Sequence, residues 1–145
     1  MSKDVQDQQE RSAAVPTLEE LTAACQPARQ MTAERDEAKA ARNQAVRDAR
    51  VQGARKKELQ EAAEVSPRTA AYLIADVKPA PQLGVAPDLQ AVKDAAARLA
   101  AAEDRLILAL NERDEQIYRA RTAKKYTMAQ IMGATGLSRS TIYKT

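Results

Sequence analysis

The chain has 145 residues, 30% of them charged, with a formal net charge of +3 and neither Trp nor Phe. It contains no His and a single Cys, Cys25. That excludes His-based metal sites and the usual general base, an intramolecular disulfide and a Cys-rich zinc site. Alanine makes up about a fifth of the sequence, and the rest is rich in Glu, Arg, Lys, Gln and Leu. These strong helix formers predict an all-α protein with a thin core. No apolar run occurs in Met1–Glu10, so no signal peptide is expected, and no stretch is long enough to cross a bilayer.

Residues 1–16 are polar without helical or strand periodicity and are expected to form a disordered tail. Thr17 and Glu20 have the spacing of a capping box, which starts a short helix. Pro27 kinks that helix or restarts it at a first-turn position. From Pro27 the chain reads as one long helix to about Gln52, with Gly53 as its stop. A helical unit with a degenerate helix-turn-helix then completes residues 17–77. The segment KPAPQLGVAP, residues 78–87, carries three Pro and one Gly and is a stiff linker. Asp88 caps a second long helix, expected to run to about Ala123. A second helix-turn-helix completes the unit 88–145. The expected fold is therefore two long helices, each followed by a helix-turn-helix, with a Pro-rich linker between them.

The halves align with one another. ARNQAVRDAR (residues 41–50) lies over ERDEQIYRAR (112–121), which pairs Arg42 with Arg113, Val46 with Ile117, Ala49 with Ala120 and Arg50 with Arg121. ELQEAAEVSPRT (58–69) lies over QIMGATGLSRST (130–141), which pairs Leu59 with Ile131, Ala62 with Ala134, Val65 with Leu137, Ser66 with Ser138 and Thr69 with Thr141. The offset changes by one residue between these blocks, in a loop, where such differences are absorbed.

The last thirty residues are the most informative. Glu115 is the last acid, and Arg119, Arg121, Lys124, Lys125, Arg139 and Lys144 follow it. Thr127 is the expected N-cap of a supporting helix, Gly136 supplies the positive φ of a tight turn, and Ser138 caps a recognition helix. Ile131, Leu137 and Ile142 are expected to face the core. Arg139, Ser140, Thr141, Tyr143 and Lys144 are then free to meet a groove or phosphates, with Lys124, Lys125, Thr127 and Ser138 at the phosphate backbone. In the first motif Glu64 stands where the turn Gly is expected. Arg55, Lys56, Lys57, Ser66, Arg68 and Thr69 are its candidate DNA contacts, offset by Glu58, Glu61, Glu64 and Asp76.

TMAQIMGATGLSRSTIYK, Thr127–Lys144, resembles the small helix-turn-helix regulators of high-GC bacteria, their plasmids and phages. Their modules, of the resolvase and sigma-factor region-four type, follow a pattern like S-x-x-E-I-A-x-x-T-G-L-S-R-S-T-V-Y-R. The match is closest from Ala134 onward. Met132 stands where the family has a small Ala, and Gly133 is a poor helix former. ERDEQIYRARTAKK is also similar to the long-helix segment that precedes the motif in this family. The resemblance covers residues 88–145 and, more loosely, 28–77. It implies sequence-specific DNA binding, usually as dimers, and transcriptional regulation.

On the second long helix Val92, Ala96, Leu99, Leu106, Leu110 and Ile117 form one apolar stripe, interrupted at Glu103 and Arg113. Such a stripe needs a partner. The candidates are the first long helix, through its Met31, Ala38, Ala41, Ala45 and Ala49 face, or a second copy, which predicts a homodimer through the long helices. No nucleophile–base pair, metal cluster or phosphate-cradling Gly loop is present, so neither an enzyme nor a cofactor is expected. The expected partner is double-stranded DNA, without metal or membrane, in the cytoplasm at the nucleoid. The competing reading is a helical structural or adaptor protein with a basic surface.

Overall fold

The computed structural model describes residues 14–145, so for residues 1–13 the expected tail lies outside the described residues. Six α-helices and no strand occur among the described residues: α1 (Leu18–Val51), α2 (Lys56–Ala63), α3 (Pro67–Ile74), α4 (Leu89–Thr122), α5 (Met128–Thr135) and α6 (Arg139–Tyr143). Two are long, at 34 residues each, which is roughly 50 Å of rise. The Pro-containing segment lies between the halves.

Local chemistry accounts for most of the boundaries. Thr17 Oγ1 accepts from the Glu20 amide at 3.1 Å, and Glu20 Oε1 accepts from the Thr17 amide at 3.4 Å. This capping box starts α1. Pro27 neither ends α1 nor restarts it; the helix continues through it to Val51. One missing N–H is tolerated inside a helix that is held along its length by packing. Gly53, at φ +103°, stops α1 as expected. Asp88 caps α4 through a 2.9 Å bond from the Ala91 amide. Residues 14–16 precede α1 without regular secondary structure. Pro16 is buried, and its carbonyl accepts from the Tyr126 hydroxyl at 3.0 Å.

By contact, the described chain forms two compact units that each draw on both long helices. One, the terminal unit, joins the described part of Met1–Gln30 to Ile107–Thr145; the other, the central unit, is Met31–Leu106. This division differs from one at the linker into 17–77 and 88–145. In the central unit Val46, Ala49, Leu59, Leu73, Ile74 and Val92 bury their side chains together, with Val65 and Leu89 packed on them. In the terminal unit Leu21, Ile117, Ala120, Ile131 and Ile142 do so, with Leu18 and Leu137 packed on them. The pairs Leu18/Leu89, Leu21/Val92, Val46/Ile117, Ala49/Ala120, Leu59/Ile131 and Val65/Leu137 thus hold equivalent places. Each core combines the start of one long helix, the end of the other and the short-helix pair that follows that end.

The stripe on α4 is covered within the chain. Val92, Leu99, Leu106 and Ile117 are buried, whereas Leu110 is half-buried. Ala38 of α1 packs with Leu99 and Ala102 in the central unit. The buried members of the stripe are therefore spent on intramolecular packing. The interruption at Glu103 also resolves: Ala102 takes the inward place and Glu103 faces solvent. The Arg113 side chain is 16% exposed and pairs with Asp114 at 2.9 Å.

Candidate nucleic-acid interface

The second motif, α5 and α6, is built by caps. Thr127 Oγ1 accepts from the Gln130 amide at 3.1 Å, and Gln130 Oε1 accepts from the Thr127 amide at 2.9 Å. At the other end of α5, Gly136 takes φ +70° and donates its amide to Met132 O at 2.8 Å. A left-handed residue there turns the chain sharply with no side chain to strain it. Ser138 then caps α6, accepting from the Thr141 amide at 3.3 Å. Thr135 is a fully buried polar side chain that the sequence reading did not single out. Its hydroxyl donates to Ile131 O at 2.8 Å and accepts from the Leu137 amide at 3.3 Å.

This frame buries Ile131 and Ile142 and half-buries Leu137. Lys124, Lys125, Thr127, Ser138, Arg139, Ser140, Tyr143 and Lys144 are exposed, and Thr141 is half-buried. Among the described residues no acid pairs with Lys124, Lys125, Arg139 or Lys144; the ion pairs lie elsewhere. Lys125 Nζ stands 5.7 Å from the Tyr126 ring. Lys124 adopts φ +55° at the exit of α4, the counterpart of Gly53 at the exit of α1.

Arg121 is a further residue of this unit. Its Nη2 donates to Thr145 O at 3.0 Å, and its guanidinium carbon lies 5.5 Å from the Tyr118 ring and 5.9 Å from the Tyr143 ring. It ties the chain beyond α6 back to α4, so it is a packing group with its charge shared among aromatic faces. Arg50 takes the same place in the central unit, donating Nη1 to Ala54 O at 3.0 Å. The Nε atoms of both arginines are buried without a hydrogen-bond partner.

The first motif, α2 and α3, has the same plan with different chemistry. Arg55 is the N-cap residue of α2, and its amide donates to Glu58 Oε1 at 3.0 Å. Glu64 adopts φ +54°, so it makes the turn that Gly136 makes in the second motif. Its amide and that of Val65 return to Gln60 O. Ser66 caps α3, accepting from the Thr69 amide at 3.1 Å, with Pro67 at the first helical position. Arg55, Lys56, Lys57, Ser66 and Arg68 are exposed and Thr69 is half-buried. Exposed Glu61 and Glu64 stand among them. Asp76 accepts from both terminal nitrogens of Arg47 at 3.2 Å. That contact holds its carboxyl below the usual aspartate range.

No group of three or more metal-ligating side chains occurs among the described residues. None of their helices is long and apolar enough to cross a membrane. Compared with known protein families, curated proteins and solved structures, the chain matches none.

Proposed function

We propose that this chain is a sequence-specific DNA-binding protein, a transcriptional regulator, that reads DNA mainly through its second helix-turn-helix. One observation carries the reading. A short, capped helix presents Arg139, Ser140, Tyr143 and Lys144 to solvent, with Lys124 and Lys125 exposed beside its supporting helix and no acid after Glu115. A positive, acid-free edge with a helix for the major groove is the electrostatic and geometric footprint of a duplex-binding unit. Arg139 suits bidentate contact with guanine, and the lysines suit phosphates. The first motif is an auxiliary reader of the same kind, weakened by Glu61 and Glu64 beside its basic residues. The equivalent cores support descent of both motifs from one duplicated unit, so a single chain carries two readers without a second copy. Such a protein acts at the nucleoid, in the cytoplasm.

The test is selection of bound duplexes from a random library, followed by titration of enriched and scrambled duplexes across a salt series. Arg139→Ala should cost about 1–3 kcal/mol on the enriched duplex and relax preference at one position. Lys125→Ala should weaken both duplexes alike and lower the salt slope by roughly one. If neither change alters binding to either duplex, residues 117–145 do not read DNA, and a helical adaptor role takes the place of this reading.

A further inference from the structure

An α-helix ends with four carbonyls that lack an intrahelical donor. At the end of α5 two of these are satisfied from α1, more than a hundred residues away in sequence. The Thr22 hydroxyl lies 2.8 Å from Ala134 O and 3.1 Å from Leu18 O, its single proton shared in favour of the nearer carbonyl, and Arg29 Nη2 donates to Thr135 O at 2.8 Å. Residues 22 and 29 are seven apart, two helical turns, so both side chains lie on one face of α1. The cation also sits where the dipole of α5 favours positive charge. The guanidinium closes over the turn itself: a Cβ added at Gly136 would lie 2.9 Å from Arg29 Nη2.

The first motif has no such brace. The places equivalent to Thr22 and Arg29 are Lys93 and Ala100. Beside Ala100 there is a small hollow lined by Arg42, Glu64 and Glu103. The end of α2 is closed by backbone bonds alone, from Glu64 and Val65 to Gln60 and Glu61.

We infer that Thr22 and Arg29 are positioning residues for DNA recognition: bonded to the carbonyls of Ala134 and Thr135, they hold the turn at Gly136 and so set how α6 meets the duplex. This rests on the DNA-binding reading of the second motif. It assigns to the amino-terminal end of α1 a role that its own composition does not suggest. Arg29 acts here through the turn and makes no phosphate contact.

The experiment uses the full chain as parent, Arg29→Ala, Arg29→Lys and Thr22→Val, with Lys125→Ala as the phosphate-contact control. The probes are the duplex enriched from a random library by the parent and a scrambled duplex, titrated across a salt series. Amide exchange of the free proteins is followed in parallel. Arg29→Ala should weaken the enriched duplex about tenfold, in line with the loss of a charged hydrogen bond. Its affinity for the scrambled duplex and its salt slope should stay at the parent values. Arg29→Lys should recover most of the loss, because an ammonium can still donate to a carbonyl. Thr22→Val keeps the side-chain shape and should give a smaller loss of the same kind. Exchange in residues 136–145 should quicken in Arg29→Ala and Thr22→Val, with residues 64–74 unchanged. A salt slope lowered by about one in Arg29→Ala would make Arg29 a phosphate contact and overturn the proposal. Parent-like exchange in residues 136–145 of both variants would overturn it as well. A parent that does not distinguish the two duplexes refutes the DNA reading and the role toward DNA together, and the exchange result then shows separately whether the brace exists.

Discussion

Replacing Leu21 by Ala tests the composition of the terminal unit most directly. Leu21 is on α1, yet its side chain is fully buried among Ile117, Ala120, Ile131 and Ile142. Removing three carbons costs about 2.4 kcal/mol of transfer free energy at ~0.8 kcal/mol per buried carbon. A residual cavity among these branched neighbours raises the total to about 3–4 kcal/mol. For a chain of this size that lowers Tm by roughly 10 °C. Thermal unfolding gives the total, and segment-resolved amide exchange locates it. Exchange should quicken in α5 and α6, which follow α4, and remain near parent rates in α2 and α3. Val92→Ala, at the equivalent place in the central unit, should do the reverse, with a smaller loss because valine has fewer carbons to remove. If Leu21→Ala loosens α2 and α3 as much as α5 and α6, the units follow chain order and the two-helix composition of each core is wrong.

Three further outcomes are expected. Glu64 holds a left-handed conformation that costs a residue with a Cβ roughly 1 kcal/mol, so Glu64→Gly should raise Tm by a few degrees despite the extra backbone freedom of the unfolded chain. Gly136→Ala should lower Tm, since it adds the same strain and a contact with Arg29; equal responses at the two positions would contradict their shared turn geometry. Cys25 is 2% exposed, and burial raises its thiol above the ordinary cysteine range, partly countered by Arg113 and Arg29. Its reaction with a thiol reagent at pH 8 should be far slower than in urea and should quicken in Leu21→Ala. Native labelling at the unfolded rate would show that this part of α1 is not packed.

Much of the local structure is legible from the residues alone, because it depends on neighbours a few positions away. The capping groups at Thr17, Ser66, Asp88, Thr127 and Ser138 each bond an amide three residues on. Gly53 and Gly136 take positive φ where a helix ends. These features follow from side-chain length and backbone sterics, so no tertiary information is needed to place them. The candidate basic edge is legible for the same reason, since charge after Glu115 can be counted and a short capped helix leaves its polar face outward.

Other features depend on what packs against each segment, and only the tertiary structure decides them. Pro27 reads as a kink or as the first turn of a new helix, and packing along α1 leaves it inside one continuous helix. Glu64 and Lys124 take left-handed conformations that their residue types disfavour, because the helices on either side require the turn. Whether Glu103 or Ala102 faces inward depends on the helix opposite, and α1 favours Ala102. The stripe on α4 reads equally well as a dimer seam or an internal face, and covering by α1 makes it internal. Thr22 and Arg29 carry no sign in the sequence of the carbonyls they reach, because donor and acceptor are separated by 112 and 106 positions. Local rules act over a few residues, whereas a hydrogen bond between distant elements exists only once the fold has brought them together.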